Sequence, residues 1–287
     1  MVKLALIGHG RWGKNIENTL ARFDDVSLVI VARGGEVPED VDAAIVATPA
    51  ASHSAVALPL VKKGIATFIE KPLATSVADA KALLVAAERS RALVHVGHVH
   101  LHNPAFLKVL ELIPRLGELR SIVCEGLNDR PRSDTSVLWD WLPHDLSMML
   151  ALFPEKKVRV RAVGSSMEES DFFGTAFARY LFDNIPIFSF VSWESRISRR
   201  VLTFTGTEGT LIFDDRAEKK LALFEAGVVS YPAYDKEPPL AREMRVFVDA
   251  VGRKENDATS LKVGVRIVEL IAAAEESAES KSREISC

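Results

Sequence analysis

An α/β fold, with a parallel sheet followed by a larger and mainly antiparallel one, is predicted by three observations on this 287-residue chain. Over about the first 115 residues, apolar runs alternate with helical patterns, which is the βαβ rhythm. A glycine-rich turn sits between the first such run and the first helical pattern. From Glu118 onward the rhythm changes to long alternating strands joined by short turns.

In order, Val2 to Ile7 reads as a buried strand, and Lys14 to Arg22 as a helix. Val26 to Ala32, Val41 to Ala47, Ile65 to Ile69 and Leu93 to Gly97 read as further strands. The helices expected between them cover His53 to Lys63 and Ser76 to Arg91. The second carries Val77, Ala80, Leu83, Leu84 and Ala87 on one face, with Thr75 or Ser76 as N-cap. Asn103 followed by Pro104 starts a helix through about Ile113, since proline suits the first helical position. Strands are then expected at Leu119 to Glu125, Val158 to Val163, Thr175 to Phe182, Ile187 to Trp193, Val201 to Thr205, Thr210 to Phe213 and Leu221 to Phe224. Hairpin turns are expected at Asp183-Asn184 and Gly206 to Gly209. An amphipathic helix from about Ser260 to Glu279 closes the chain. The expected domains are residues 1–117 and 118–287, with the closing helix able to pack back on the first.

Composition narrows the class. At 48% hydrophobic content the chain supports substantial cores. A net charge of −3 without long like-charge runs argues against nucleic acid and anionic membranes as partners. No apolar stretch is long enough to span a bilayer, and the first residues run straight into a strand, so no secretory leader is expected. Cys124 and Cys287 provide neither a disulfide framework nor a zinc knuckle, which fits a reducing, cytoplasmic setting.

The first strand and helix flank Gly8-His9-Gly10-Arg11-Trp12-Gly13, a G-x-G-x-x-G turn. Gly8 serves the tight turn, Gly10 the approach of backbone to a pyrophosphate, and Gly13 close helix–strand packing. The helix N-terminus offers its unpaired N–H groups to phosphates. This predicts a Rossmann dinucleotide-binding domain, with His9 shaping the turn. The fourth strand run ends in Glu70-Lys71-Pro72, which places Lys71 at the carboxyl end of a parallel strand, where open α/β sheets bind ligands. In the later half, Asp140 and His144 stand four residues apart. If a helix starts near Trp141, both lie on one face and Pro143 falls in its tolerant first turn. His144 is then a candidate proton acceptor oriented by Asp140. On local sequence alone, Asp140 as an ordinary N-cap and His144 as a packed, hydrogen-bonded histidine is the favoured reading.

Taken together, Gly8-x-Gly10-x-x-Gly13, the Ala47-Thr48-Pro49 strand end followed by His53, Glu70-Lys71-Pro72 and Asp140-x-x-x-His144 resemble the glucose-fructose oxidoreductase, inositol dehydrogenase and MocA family, in order and spacing over nearly the whole chain. Leu138-Trp139-Asp140 with Pro143-His144-Asp145, and Ser192-Trp193-Glu194 through Arg199-Arg200 to Gly206–Gly209 and Phe213-Asp214-Asp215, look like members acting on nucleotide-linked sugars. The resemblance implies a Rossmann domain, then an α/β domain with an open sheet used for oligomerisation, and an active site between them. It also implies that the lysine matching Lys71 orients substrate hydroxyl and nicotinamide, the histidine matching His144 takes the hydroxyl proton, and the aspartate matching Asp140 supports that histidine. Cofactor contacts are expected from residues 8–13, from Thr48, Pro49, His53, Glu70, Lys71 and Pro72, and from Arg33.

Two departures bear on the cofactor. The second strand ends Val31-Ala32-Arg33-Gly34-Gly35, without the carboxylate that holds an NAD ribose; Arg33 there favours a 2′-phosphate, so the expectation is NAD or NADP with a lean to NADP. Only Gly34 to Asp40 separates the next two strands, with Pro38 inside, so the usual crossover helix is missing. His95 to His102 holds four of the seven histidines, with His98, His100 and His102 on one face if extended. Lacking an acidic or cysteine partner, the stretch is expected to be structural or substrate-lining, with no metal. The expected function is NAD(P)-dependent hydride transfer to or from a secondary alcohol or ketone of a sugar or nucleotide sugar, by a homodimer or homotetramer. A non-catalytic ligand-sensing or scaffold protein of the same fold is the alternative.

Overall fold

The structure is a computed structural model that describes residues 1–154, 157–168 and 170–287. It divides into two compact units, Met1–His102 with Glu237–Val268, and Asn103–Lys236 with Glu269–Cys287.

The first stretch of unit 1 contains β1 (Val2–Ile7), α1 (Arg11–Leu20), β2 (Val26–Val31), β3 (Ala43–Val46), α2 (His53–Lys62), β4 (Ala66–Glu70), α3 (Val77–Ser90) and β5 (Val94–Gly97). The five strands form one parallel sheet in the order β2-β1-β3-β4-β5. Strand order reverses around β1, so β1 and β3 diverge at their carboxyl ends, the usual ligand crevice of such sheets. The missing crossover helix is a finding: residues 32–42 contain no helix and carry the chain from edge strand β2 past β1 to β3. That connection is pinned at the start of β1. Lys3 N donates to Asp42 Oδ2 at 2.7 Å, Asp42 N donates to Lys3 O at 2.8 Å, and the Lys3 ammonium pairs with Asp40. α3 begins as its sequence predicts, with Ser76 Oγ accepting from Asp79 N, and ends at a left-handed Arg91.

Unit 2 begins with α4 (Pro104–Leu112), capped by Asn103, whose Oδ1 accepts from Ala105 N. It continues through β6 (Leu119–Leu127), α5 (Val137–Leu152), β7 (Val158–Ser166), β8 (Phe173–Phe182), β9 (Ile185–Ser192), β10 (Arg199–Gly206), β11 (Gly209–Asp214), β12 (Leu221–Glu225) and β13 (Val228–Ser230). With β14 (Ile285–Ser286) these strands form a nine-stranded sheet, antiparallel except for the central β6–β9 pair. Alternation is clean: Ile122, Cys124, Ala176, Ala178, Tyr180 and Ile187 are buried, while Val123, Phe177 and Phe190 on the other face stay exposed. α5 lies against the buried side of β8 and β9 and is itself buried nearly all round. It starts four residues earlier than expected, at Val137, so Pro143 is an interior residue. Its ring removes the N–H that would reach the Trp139 carbonyl, and Asp140 stands in the first helical turn rather than at the cap.

Two helices follow. α6 (Pro239–Gly252) belongs to unit 1 and was not anticipated from the sequence. Met244, Phe247 and Val248 enter the same core as Leu4, Leu6, Ile16, Ile45 and Phe68. Burying each such side chain contributes roughly 1.5–3 kcal/mol. α7 (Thr259–Glu279) is shared, through Val268 with unit 1 and from Glu269 with unit 2. The division by compactness therefore falls at 102/103 and returns residues 237–268 to unit 1, whereas the sequence places a single boundary at 117/118. Among the described residues no helix is long and apolar enough to cross a membrane.

Candidate active site

The glycine turn of unit 1 joins the carboxyl end of β1 to α1. Gly8 has φ +98°, and a Cβ there would lie 2.5 Å from the Ala47 backbone; a Cβ on Gly13 would lie 2.1 Å from Gly8 O. Both positions exclude any side chain. Gly10, the N-cap of α1, faces open space, and no side chain caps the helix. The turn thus presents exposed backbone and free helix N–H groups, which fits a pyrophosphate. His9 bonds to Glu17 Oε2 on α1 at 2.7 Å and so braces the turn. Arg11 and Trp12 are exposed, as is Arg33 just beyond β2.

Glu70 links this turn to Lys71. The buried carboxylate accepts from the Trp12 indole N–H and, at 3.2 Å, from Lys71 N. Burial raises its pKa to about 7, opposed by the Trp12 hydrogen bond and the Lys71 charge. Glycine at 97 on the neighbouring β5 makes room for it, since a Cβ there would stand 3.1 Å from Glu70 Cδ. Lys71 follows at the carboxyl end of β4, half-buried, and the Lys71–Pro72 peptide is cis. His53, the first residue of α2, is buried between two carbonyls, Nδ1 2.7 Å from Pro72 O and Nε2 2.8 Å from Thr48 O. It thereby fastens the Thr48-Pro49 end of β3 to the Lys71-Pro72 end of β4. The structure brings together Glu70, Lys71, Pro72, His53 and Thr48 in this way, and Trp12 with them.

In unit 2, Asp140 and His144 lie one turn apart on α5. The Asp140 carboxylate accepts from Arg132 Nη1 at 3.4 Å and from Trp193 Nε1 at 3.2 Å. His144 stands edge-on to Trp141, with ring centroids 6.3 Å apart. Arg132 and Trp193 come from a loop and a strand end distant in sequence, so spacing alone could not assign them to Asp140. Deeper in the unit, Asp145 and Arg200 form a buried ion pair at 2.8 Å.

The histidine-rich stretch is not extended throughout. β5 ends at Gly97 and residues 99–102 form a 3₁₀ turn, so His98, His100 and His102 do not share one strand face. His98 is buried, with desolvation lowering its pKa to about 3. His95 and His102 instead converge on Glu243 of α6. The acidic partner that the linear sequence lacked thus comes from the unanticipated helix.

A five-stranded parallel sheet whose first strand feeds a glycine turn and a helix defines the Rossmann class of nucleotide-binding folds. Residues 31–98 match the model of the oxidoreductase family with an NAD-binding Rossmann fold. Over 127 residues the chain is 34% identical to UDP-N-acetylglucosamine 3-dehydrogenase of Acidithiobacillus ferrooxidans, covering 44% of this chain and 40% of that one. Over 153 residues it is 31% identical to myo-inositol dehydrogenase Hyg17 of Streptomyces leeuwenhoekii, covering 50% and 47%. The match thus spans less than half the length of these curated relatives. A solved structure from Magnetospirillum magnetotacticum MS-1, assigned as an oxidoreductase, is 30% identical with a TM-score of 0.83, covering 95% of this chain and 99% of that one. The chain belongs to the glucose-fructose oxidoreductase, inositol dehydrogenase and MocA family.

Proposed function

We propose that the protein is an NAD(P)-dependent oxidoreductase acting on a secondary alcohol, or the matching ketone, of a sugar or nucleotide sugar. The observation that carries this is the convergence, at the carboxyl edge of one parallel sheet, of the open Gly10 turn and Lys71 through the Glu70–Trp12 contact. The family's NAD-binding fold supports the cofactor class, and the named dehydrogenases among the relatives support the substrate class. Arg33, with no carboxylate between residues 32 and 35, supports a preference for the 2′-phosphorylated cofactor.

The nicotinamide, when bound, supplies the hydride acceptor or donor. Residues 8–13 bind the diphosphate through backbone N–H groups and the start of α1. Lys71 places its ammonium where it favours a developing alkoxide, and Glu70 and His53 hold the backbone on either side of it. His144 takes the hydroxyl proton, and Asp140, one turn earlier on the helix, supports that imidazole. Arg132 and Trp193 fix Asp140. The exposed Val123, Phe177 and Phe190 face of the large sheet supports a homodimer or homotetramer.

Titration with NAD and NADP, followed by turnover across a panel of inositols and UDP-sugars, tests this. Turnover lost in both Lys71→Ala and His144→Ala is the expected result. Cofactor binding with no turnover of any sugar supports the sensor reading instead, which the helix-free 32–42 connection favours. No cofactor binding at all refutes both.

A further inference from the structure

We propose that His95, His102 and Glu243 form a binding site for a divalent transition cation of the zinc type, within unit 1 and apart from the residues assigned to catalysis. One ligand atom from each of the three lies within 4.8 Å of the other two. His102 Nε2 stands 4.0 Å from Glu243 Oε1, and the His95 and His102 rings have centroids 5.7 Å apart. The set combines two imidazoles with one carboxylate, donors suited to zinc and its neighbours, and leaves a fourth position for water. Metal–ligand distances of about 2.0–2.2 Å place ligand atoms roughly 3–4 Å apart, so side-chain rotations of about an ångström close the site.

Glu243 provides the independent reason for a cation. Its side chain is 0% exposed, and neither carboxylate oxygen has a hydrogen-bond partner. A buried carboxylate without donors is costly in either protonation state, and a metal removes that cost by direct coordination. The imidazoles are in the right form, because burial lowers His95 to about 3 and His102 to about 4, which keeps both neutral at physiological pH. The surroundings are built to hold them: His95 stacks on Phe68 with centroids 5.4 Å apart and borders Phe247, which anchors α6 in the core. A bound cation would staple α6 to the end of β5, joining segments that are far apart in the chain.

The experiment uses the full chain without a histidine tag, stripped by chelator and titrated with Co(II) and Zn(II). Visible d–d absorption reports imidazole coordination, elemental analysis gives stoichiometry, and thermal unfolding gives the stabilisation. The expected result is one Co(II) per chain, displaced by Zn(II), with a raised melting midpoint. Glu243→Gln and His102→Gln are each expected to weaken binding at least roughly tenfold to a hundredfold. If Glu243→Gln fails to fold, the partly exposed His102→Gln carries the test alone. Absence of a Co(II) spectrum, or equal affinity in wild type and His102→Gln, overturns the proposal and leaves Glu243 as a protonated acid beside His102.

Discussion

Replacing Glu70 by glutamine tests whether the junction between the glycine turn and Lys71 is held by a carboxyl that resists ionisation. Burial raises the Glu70 pKa from 4.5 to about 7 in the folded state. At about 1.4 kcal/mol per pKa unit, the folded protein therefore gains about 3 kcal/mol, relative to the unfolded chain, from keeping that proton. The sign follows from proton uptake. Between pH 4.5 and 7 the folded state holds the proton and the unfolded state does not. The contribution is fully present below pH 4.5, falls as pH rises, and is gone above about 7. The buried histidines act in the opposite direction, because His95 and His98 are lowered to about 3 and destabilise the folded state as pH falls below their ordinary value. That background is common to both proteins, so the difference between them reads Glu70 together with the buried Glu243 carboxyl it acts on. Glutamine mimics the neutral acid in charge and shape: its Oε1 can still accept from Trp12, while its amide nitrogen cannot accept from Lys71 N, a loss that does not depend on pH. Urea unfolding at a series of pH values should show Glu70→Gln and wild type close together near pH 4.5. Above pH 7 the variant should lead by about 3 kcal/mol. A difference that is flat with pH, or that shrinks as pH rises, refutes the assignment of a buried, proton-retaining Glu70.

The other expectations concern the turn, the core and the second unit. Gly13→Ala forces a Cβ to within 2.1 Å of Gly8 O, so it should cost roughly 1–3 kcal/mol and abolish cofactor-induced thermal stabilisation. Phe247→Ala should destabilise by roughly 3–5 kcal/mol in denaturant titration, because the ring is fully buried in the unit 1 core; a loss below about 1 kcal/mol would place α6 outside that core. Asp140→Asn keeps the shape that meets Trp193 but removes the charge beside Arg132. It should lower kcat/KM roughly a hundredfold, whereas an unchanged kcat/KM would remove Asp140 from the proton pathway.

Much of the fold was legible because local chemistry and tertiary context agree. Ser76 and Asn103 cap the helices they precede in the sequence, the continuous apolar runs of the parallel sheet are buried, and the alternating runs of the larger sheet match its burial alternation. α5 was misplaced because Pro143 reads as a first-turn residue, while the apolar residues Val137, Leu138 and Trp139 before it are buried and extend the helix backward. α6 carries a helical signal, with Leu240, Met244, Phe247, Val248 and Val251 at helical spacing, interrupted by Arg242, Glu243 and Arg245 and preceded by two prolines. Lys71 and the glycine turn were readable as a linear pattern. The Arg132 and Trp193 partners of Asp140, and the meeting of Glu243 with His95 and His102, depend on which segments the fold brings together, and no spacing rule encodes that.

The assignment of residues 237–268 to the first compact unit has a consequence for biosynthesis. When the ribosome has completed β5, the sheet of that unit is present, yet Met244, Phe247 and Val248 have not been made. Translation at about 5–20 residues per second leaves the faces of Leu4, Leu6 and Phe68 without part of their cover until nearly the whole chain is synthesised. A chain that stops before α6 therefore lacks Met244, Phe247 and Val248 as cover for this core and is expected to expose Leu4, Leu6 and Phe68 in part.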